Sequence, residues 1–225
     1  MTPLPRTFVL GISGASGAAY SLRFLEQLLL KGHEVHLVVS DYGRRLLFDE
    51  AGIKRLVMEE LVPSLARAAP DVTAKVALDR RLIVHPNRDV GAVIASGSFF
   101  HDGMVVLPCS SATLGALANG SGSNLLCRAA MVALKERRPL IVCHRETPLS
   151  HIDIDNYQRL SLAGAIVCPT NPGFYLRPRS VEDLVDFMVG KVLDLLKVGH
   201  DLNTRWKAMG IEEPSREEPI ADDAG

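Results

Sequence analysis

The segment Val9-Leu10-Gly11-Ile12-Ser13-Gly14-Ala15-Ser16-Gly17 joins two runs of different periodicity. Before it, Thr7 to Leu10 is short, apolar and β-branched, as a buried strand requires. After it, Ala18 to Leu30 places apolar residues at helical spacing and closes on Lys31-Gly32, a cationic last turn followed by a C-cap glycine. A turn of small residues between strand and helix gathers free backbone N–H groups at the positive end of the helix dipole, which suits a phosphate. Its Gly-x-x-Gly-x-x-Gly spacing matches neither the Gly-x-Gly-x-x-Gly dinucleotide fingerprint nor the P-loop. A tight structural βα turn is the other reading, and the segment alone leaves both open.

Outward from this turn, strands and helices alternate. Glu34 to Val39 reads as a strand ending at Ser40-Asp41, and Tyr42 to about Glu60 reads as a helix carrying Glu50. From Leu61 to Gly103 the pattern is weak, and a crossover with a long surface excursion is expected there. Met104 to Leu107 is a strand stopped by Pro108; Cys109 to Thr113 then opens a helix that ends at Asn119-Gly120. Ser123 is the expected cap of a helix running to about Arg137, whose Asn124, Arg128 and Lys135 share one face. Leu140 to Cys143 is a strand, Ile152 to Ala163 a helix and Ala165 to Val167 a strand. The last helix begins at a Ser180/Asp183 capping box. Its apolar row is read as Leu184, Met188 and Leu195, with Lys191 inside it. A lysine in such a row snorkels or finds an anion.

This alternation defines an α/β protein with a mostly parallel sheet covered on both faces. Residues 1–210 form one expected domain, and 211–225 an acidic, proline-containing tail without order. Ligands of such sheets bind beyond the carboxyl ends of the strands. Polar groups recur at those ends: Ser13 and Ser16, Ser40, Ser110 to Thr113, Arg145 and Glu146, and the loop Pro172 to Tyr175. Hydroxyls and backbone amides there suit a phosphate or polyol chain. Arg128, Lys135, Arg145 and Lys191 offer cations for a second anion, although Lys135 also ends a helix and Arg145-Glu146 can be a surface ion pair.

Bulk properties narrow the classes. The 225 residues carry a net charge of −1, which gives no reason to expect nucleic acid or an anionic membrane as partner. Apolar residues make up 47% and mean hydropathy is +0.14, so some apolar surface is expected between subunits. No apolar run is long enough to span a bilayer, and no secretory signal is visible. Cys109, Cys127, Cys143 and Cys168 form no Cys-x-x-Cys and no metal-like cluster. A reduced, cytoplasmic protein without a metal is the expectation. Gly-x-Ser-x-Gly is absent, which argues against a serine hydrolase.

Several segments together resemble a known family: Gly11 to Gly17, Pro108-Cys109-Ser110 through Leu114, Ala133-Leu134-Lys135-Glu136-Arg137-Arg138-Pro139-Leu140, Arg145-Glu146-Thr147-Pro148 and Pro172-Gly173-Phe174-Tyr175. In order and spacing, from about Phe8 to Trp206, they resemble the UbiX/Pad flavin prenyltransferases. The resemblance implies a flavodoxin-like, Rossmann-like three-layer sandwich assembled as a homo-oligomer, commonly a homododecamer. It implies metal-independent transfer of the prenyl group of dimethylallyl monophosphate to N5 and C6 of reduced FMN. The prenylated FMN would serve a UbiD-type decarboxylase in ubiquinone synthesis or aromatic-acid decarboxylation.

By match to the family motifs, Gly14, Ala15, Ser16, Ser40, Ser110, Ser111, Ala112, Thr113 and Arg145 are expected to bind FMN. Tyr175 and Lys191 are expected to hold the dimethylallyl phosphate, with Arg128, Lys135 and Glu146 completing the cluster. Ser16, Glu50, Lys135 and Glu146 are the expected catalytic groups, Glu146 as a proton handler. Trp206 also falls at a family position. Lys191 stands where arginine is common, keeping the charge but losing a bidentate fork, and Val90 where an aromatic is common. Two other readings remain: a flavin-dependent cysteine decarboxylase, which usually carries a Pro-x-Met-Asn motif where this chain has Pro172-Gly173-Phe174-Tyr175, and a non-catalytic FMN carrier.

Overall fold

A computed structural model describes residues 4–202 and 204; Trp206 and the acidic tail lie outside them. Six parallel strands form one sheet in the order β3-β2-β1-β4-β5-β6. In chain order these are β1 Thr7–Ile12, β2 Glu34–Val39, β3 Leu82–Pro86, β4 Gly103–Cys109, β5 Leu140–His144 and β6 Ile166–Val167. The helices are α1 Ala18–Leu30, α2 Asp41–Ala51, α3 Met58–Leu61, α4 Pro63–Ala68, α5 Val72–Asp79, α6 Ser111–Ala118, α7 Leu125–Lys135, α8 His151–Leu162 and α9 Val181–Leu195.

Strand alternation feeds two cores. Phe8, Leu10, Ile12, Leu37, Val105, Ile141 and Cys143 face α1 and α9, whereas Val9, Val38, Met104, Val106 and Val142 face α6, α7 and α8. Both faces of the central strands are therefore apolar, as a parallel sheet between helix layers demands. The chain runs outward from β1 through β2 to β3, then returns to place β4 on the other side of β1. That reversal opens a crevice beyond the carboxyl ends of β1 and β4, the usual ligand position in such sheets.

Local chemistry sets the boundaries. Helix α1 and strand β2 have the ends that their patterns predict. The helix expected over Tyr42 to Glu60 is two pieces. It stops at Gly52, which takes the left-handed conformation (φ 69°) and ends α2. The weakly patterned stretch after Leu61 contains the two short helices α4 and α5, a 3-10 turn at Val93–Ala95 and an unforeseen strand, β3. This is an edge strand whose residues are half-buried and which ends on Pro86, so neither apolar alternation nor a full ladder marks it. Pro108 does not stop β4; the strand reaches Cys109 with an irregular register after Val106 and a cis Leu107–Pro108 bond. Asn124, not Ser123, caps α7, its side chain accepting from the Cys127 amide at 3.0 Å. Both capping-box bonds of α9 are present at Ser180 and Asp183.

The row assigned to α9 is also corrected. Its buried side is Val185, Met188, Val189, Val192 and Leu193, and Lys191 is exposed. Of the expected row, Met188 is buried and Leu195 packs partly against the core, whereas Val185, Val189 and Val192 take the place expected of Leu184 and Lys191.

Candidate active site

The turn after β1 is held from three sides. Ser13 is buried; its backbone N–H and hydroxyl both donate to the Pro108 carbonyl at 3.1 Å, and its Oγ accepts from the Ser110 amide at 2.8 Å. The ends of β1 and β4 are thereby locked side by side. Ser110 caps α6, its Oγ accepting from the Thr113 amide at 3.3 Å and lying 3.2 Å from the Thr113 hydroxyl. Ser40 does the same for α2, accepting from the Gly43 amide at 3.0 Å, while its own amide bonds the Ile12 carbonyl at 2.9 Å. A Cβ on Gly14 would lie 2.4 Å from Tyr42 Cβ, so the turn passes as close to α2 as a residue without a side chain allows. Gly17, at φ +129°, takes a conformation that other residues avoid.

Two helix N-termini therefore point into one crevice. Among the described residues, the amides of Gly14, Ser16, Ser111 and Ala112 have no protein acceptor. The Gly17 and Ala18 amides do: both donate to Glu50 Oε2, at 3.0 and 2.9 Å. Burial opposes the charge on Glu50, but the Ser16 hydroxyl, these two amides and the nearby Arg145 outweigh it and hold the carboxyl below its usual range. Arg145 reaches the same turn from β5, its Nε donating to the Ser16 carbonyl at 3.1 Å. An anionic Glu50 and a cationic Arg145 thus bracket Ser16.

A second network supports α6 from behind. Ser111 Oγ lies 3.0 Å from His144 Nε2, and His144 Nδ1 lies 2.8 Å from the Tyr157 hydroxyl. Asp153, one turn before Tyr157 on α8, also bonds Ser111. Burial lowers the His144 pKa, so the ring is neutral and serves as a hydrogen-bond relay. His144, Tyr157 and Asp153 were not foreseen as site residues. The available signal was alternation, which turns His144 to the α8 face when Cys143 faces α1 and α9.

The remaining residues fall into separate places. Glu146 follows Arg145 on the exposed loop and accepts from the Thr147 amide at 3.0 Å. Tyr175 packs edge-on against Phe187, with ring centroids 5.6 Å apart. Lys191 lies one turn beyond Phe187 on α9, close enough for its charge to act on Cys168. Arg128 is exposed on the outer face of α7 beside Gly122. Lys135 is not brought to the rim within one chain. Helix α7 begins at the carboxyl end of β3, where the Leu125 amide bonds the Asn87 carbonyl, and it runs antiparallel to the sheet. Lys135 therefore lies near the amino ends of the strands, paired with Glu136 and close to Gly97. A cavity of about 620 Å³ opens beyond β2 and β3, lined by Arg44, Arg88, Ser123 and Asn124 among others. Among the described residues no group of three His, Cys, Asp or Glu side chains could hold a metal ion, and no helix is long and apolar enough to cross a membrane.

An α/β sheet with free amides from the β1–α1 turn and from the N-terminus of α6 beside its topological switch suits a phosphate-bearing ligand, and a model of the Flavoprotein family matches residues 3–193. A flavin prenyltransferase UbiX of Thermoplasma acidophilum is 44% identical over 198 residues, covering 88% of this chain and 98% of that one. The UbiX of Pseudomonas aeruginosa is 40% identical over 206 residues, covering 90% and 94%. Among solved structures, a UbiX in complex with FMN and dimethylallyl pyrophosphate superposes with a TM-score of 0.73 at 36% identity, over 87% of this chain and 94% of that chain. A dodecameric FMN-dependent UbiX-like decarboxylase from Escherichia coli O157:H7 gives 0.75 at 34%, over 89% and 98%. The chain belongs to the UbiX family of flavin prenyltransferases.

Proposed function

We propose that this protein joins the dimethylallyl group of dimethylallyl monophosphate to N5 and C6 of reduced FMN. The observation that carries the reading is the convergence of Ser16, Glu50 and Arg145 on a crevice already walled by Ser13 and Ser110. The donor set fits FMN: the free amides of Gly14, Ser16, Ser111 and Ala112, with the hydroxyls of Ser40 and Thr113, suit its phosphate and ribityl chain. FMN in its reduced form supplies the electron-rich ring atoms that take the prenyl carbons.

The protein's own groups have three tasks. Breaking an allylic C–O bond leaves charge on phosphate, and preorganised cations stabilise that charge as it develops. Lys191 and the Tyr175 hydroxyl beside α9 supply one such set, with Arg128 and Lys135 as further cations. Ring closure at a flavin carbon releases a proton, for which Glu146 and Glu50 are the available carboxylates. Glu50, held anionic by Ser16, two amides and Arg145, keeps the turn rigid and accepts a proton only when a stronger acid is presented.

Lys135 lies at the far end of the sheet from Arg145, so its part in this chemistry requires a second copy of the chain. A homododecamer, the assembly of the Escherichia coli relative, supplies such copies. The product would pass to a UbiD-type decarboxylase in the cytoplasm. Anaerobic incubation with FMN, dithionite and dimethylallyl monophosphate, followed by mass spectrometry of the released flavin, tests the reading. The expected product is FMN heavier by one isoprenyl unit. Recovery of unchanged FMN overturns it in favour of a carrier or a flavin-dependent decarboxylase.

A further inference from the structure

Two of the four cysteines stand side by side on adjacent strands. The β5–β6 register pairs Ile141 with Ile166 and Val142 with Val167, which brings Cys143 opposite Cys168 at the next step. The ladder continues through this step, with the Cys168 amide donating to the Val142 carbonyl at 2.9 Å and the Thr170 amide to the His144 carbonyl at 3.0 Å. Residues in register on neighbouring parallel strands project to the same face, and strands lie roughly 4.7–4.9 Å apart. That spacing falls within the Cα separation of roughly 4.4–6.8 Å that a disulfide accepts. Both thiols face the α1/α9 core, Cys143 fully buried and Cys168 partly open.

We propose that Cys143 and Cys168 form a dithiol redox site, with Cys168 the thiol that meets the oxidant and Cys143 the resolving thiol. Cys168 is suited to the first role in three ways. It is the only one of the four cysteines with solvent access. It accepts a hydrogen bond from the Cys143 thiol, and the Lys191 ammonium lies near it; together these outweigh burial and hold its thiol below the ordinary value. Cys143 is pushed the other way, by that same hydrogen bond and by burial, so it keeps its proton. Cys109 and Cys127, on the opposite face of the sheet, are raised by burial and have no cation beside them. A partly open thiol whose ionised form is favoured, with a second thiol next to it in the ladder, is the setting of reactive rather than inert cysteines.

The oxidant is hydrogen peroxide. The Cys168 thiolate attacks one peroxide oxygen, the O–O bond breaks, and the departing hydroxide leaves as water after taking a proton from solvent. Cys143 sulfur then attacks the sulfenic sulfur of Cys168. The S–O bond breaks, and hydroxide leaves as water with the Cys143 proton. In sum, two thiols and one hydrogen peroxide give one disulfide and two waters, the sulfurs losing two electrons that the peroxide gains. A small dithiol reverses the step. The relevance of peroxide, which forms when dioxygen intercepts a reduced flavin, rests on the function proposed above, whereas the thiol chemistry does not.

The experiment uses the full-length protein without flavin, so its result is independent of prenyl transfer. The protein is treated with stoichiometric hydrogen peroxide, blocked with N-ethylmaleimide under denaturing conditions, digested and analysed by mass spectrometry. The expected result is a Cys143–Cys168 cross-link that dithiothreitol removes, with Cys109 and Cys127 carrying the blocking group. In Cys143→Ser, Cys168 is expected to stop at sulfenic acid and to be trapped by dimedone. In Lys191→Ala, labelling of Cys168 by iodoacetamide at pH 7 is expected to slow by up to about tenfold, the change that one unit of pKa produces. All four thiols blocked after peroxide, or a Cys109–Cys127 cross-link in place of the expected one, overturns the proposal. Unchanged labelling in Lys191→Ala overturns the lysine's part in favouring the Cys168 thiolate.

Discussion

At Gly14 a single methyl group would meet Tyr42 Cβ at 2.4 Å, and Tyr42 is anchored on the first turn of α2. Gly14→Ala must therefore push the β1–α1 turn away from α2, a strain of about 1–3 kcal/mol by analogy with overpacked interiors. The expected outcome is FMN binding weakened by tenfold or more, read from quenching of flavin fluorescence, with the fold retained by circular dichroism. His101 gives a residue-scale dependence on pH. Burial and the charge of Arg138 lower its pKa to about 4, with His36 acting in the same direction and the Gly103 backbone and Asp102 opposing. Its unfolded value is near 6.5, so between 6.5 and 4 the unfolded chain binds a proton that the folded one does not. This contribution to stability is complete above pH 6.5, falls as the pH is lowered through that window and is gone below about 4. Urea midpoints measured between pH 7.5 and 4 should decline accordingly, and in His101→Gln that part of the slope should flatten. The residue types at the site were legible because the turn is rich in glycine and serine. The relay from Ser111 through His144 to Tyr157 was not, since it joins residues on three elements that only packing brings together.

At the scale of the element, caps decide where helices begin. Asn124, rather than its neighbour Ser123, accepts from the Cys127 amide. Removing an N-cap costs about 1 kcal/mol, whereas an exposed serine outside the helix contributes almost nothing. Asn124→Ala should lower the urea midpoint by a corresponding amount and Ser123→Ala should leave it unchanged, and a reversed order would contradict the cap assigned to α7. Helix α1 and strand β2 could be read from the chain because their periodicity and their end signals agree. Strand β3 could not, because an edge strand buries too little to impose alternation on its sequence. Lys191 was misplaced for a related reason. A row of residues spaced three and four apart defines a helix face, but only the packing of α1 against α9 selects which of two neighbouring rows is the buried one.

For the whole molecule, the division of the site carries its own test. Arg145 lies at the carboxyl rim of the sheet and Lys135 at the opposite end, so an active centre that uses both must join different copies. Arg145→Ala and Lys135→Ala should each be inactive alone, and co-expression of the two should restore part of the prenyl-transfer rate, because some centres in a mixed oligomer draw both intact residues. Failure of mixed oligomers to recover any activity would remove Lys135 from the site. By itself the sequence determined the α/β class, the order of most strands and helices, and the polar residues at the strand ends. These follow from local periodicity, from glycine and capping chemistry, and from motifs that are contiguous in the chain. Only the tertiary structure decided which helix faces are buried, that Glu50 occupies the N-terminus of α1, that Cys143 stands beside Cys168, and that Lys135 faces away from Arg145. These are relations between residues distant in sequence, set by strand order and by the direction in which each helix crosses the sheet, and no local pattern encodes them.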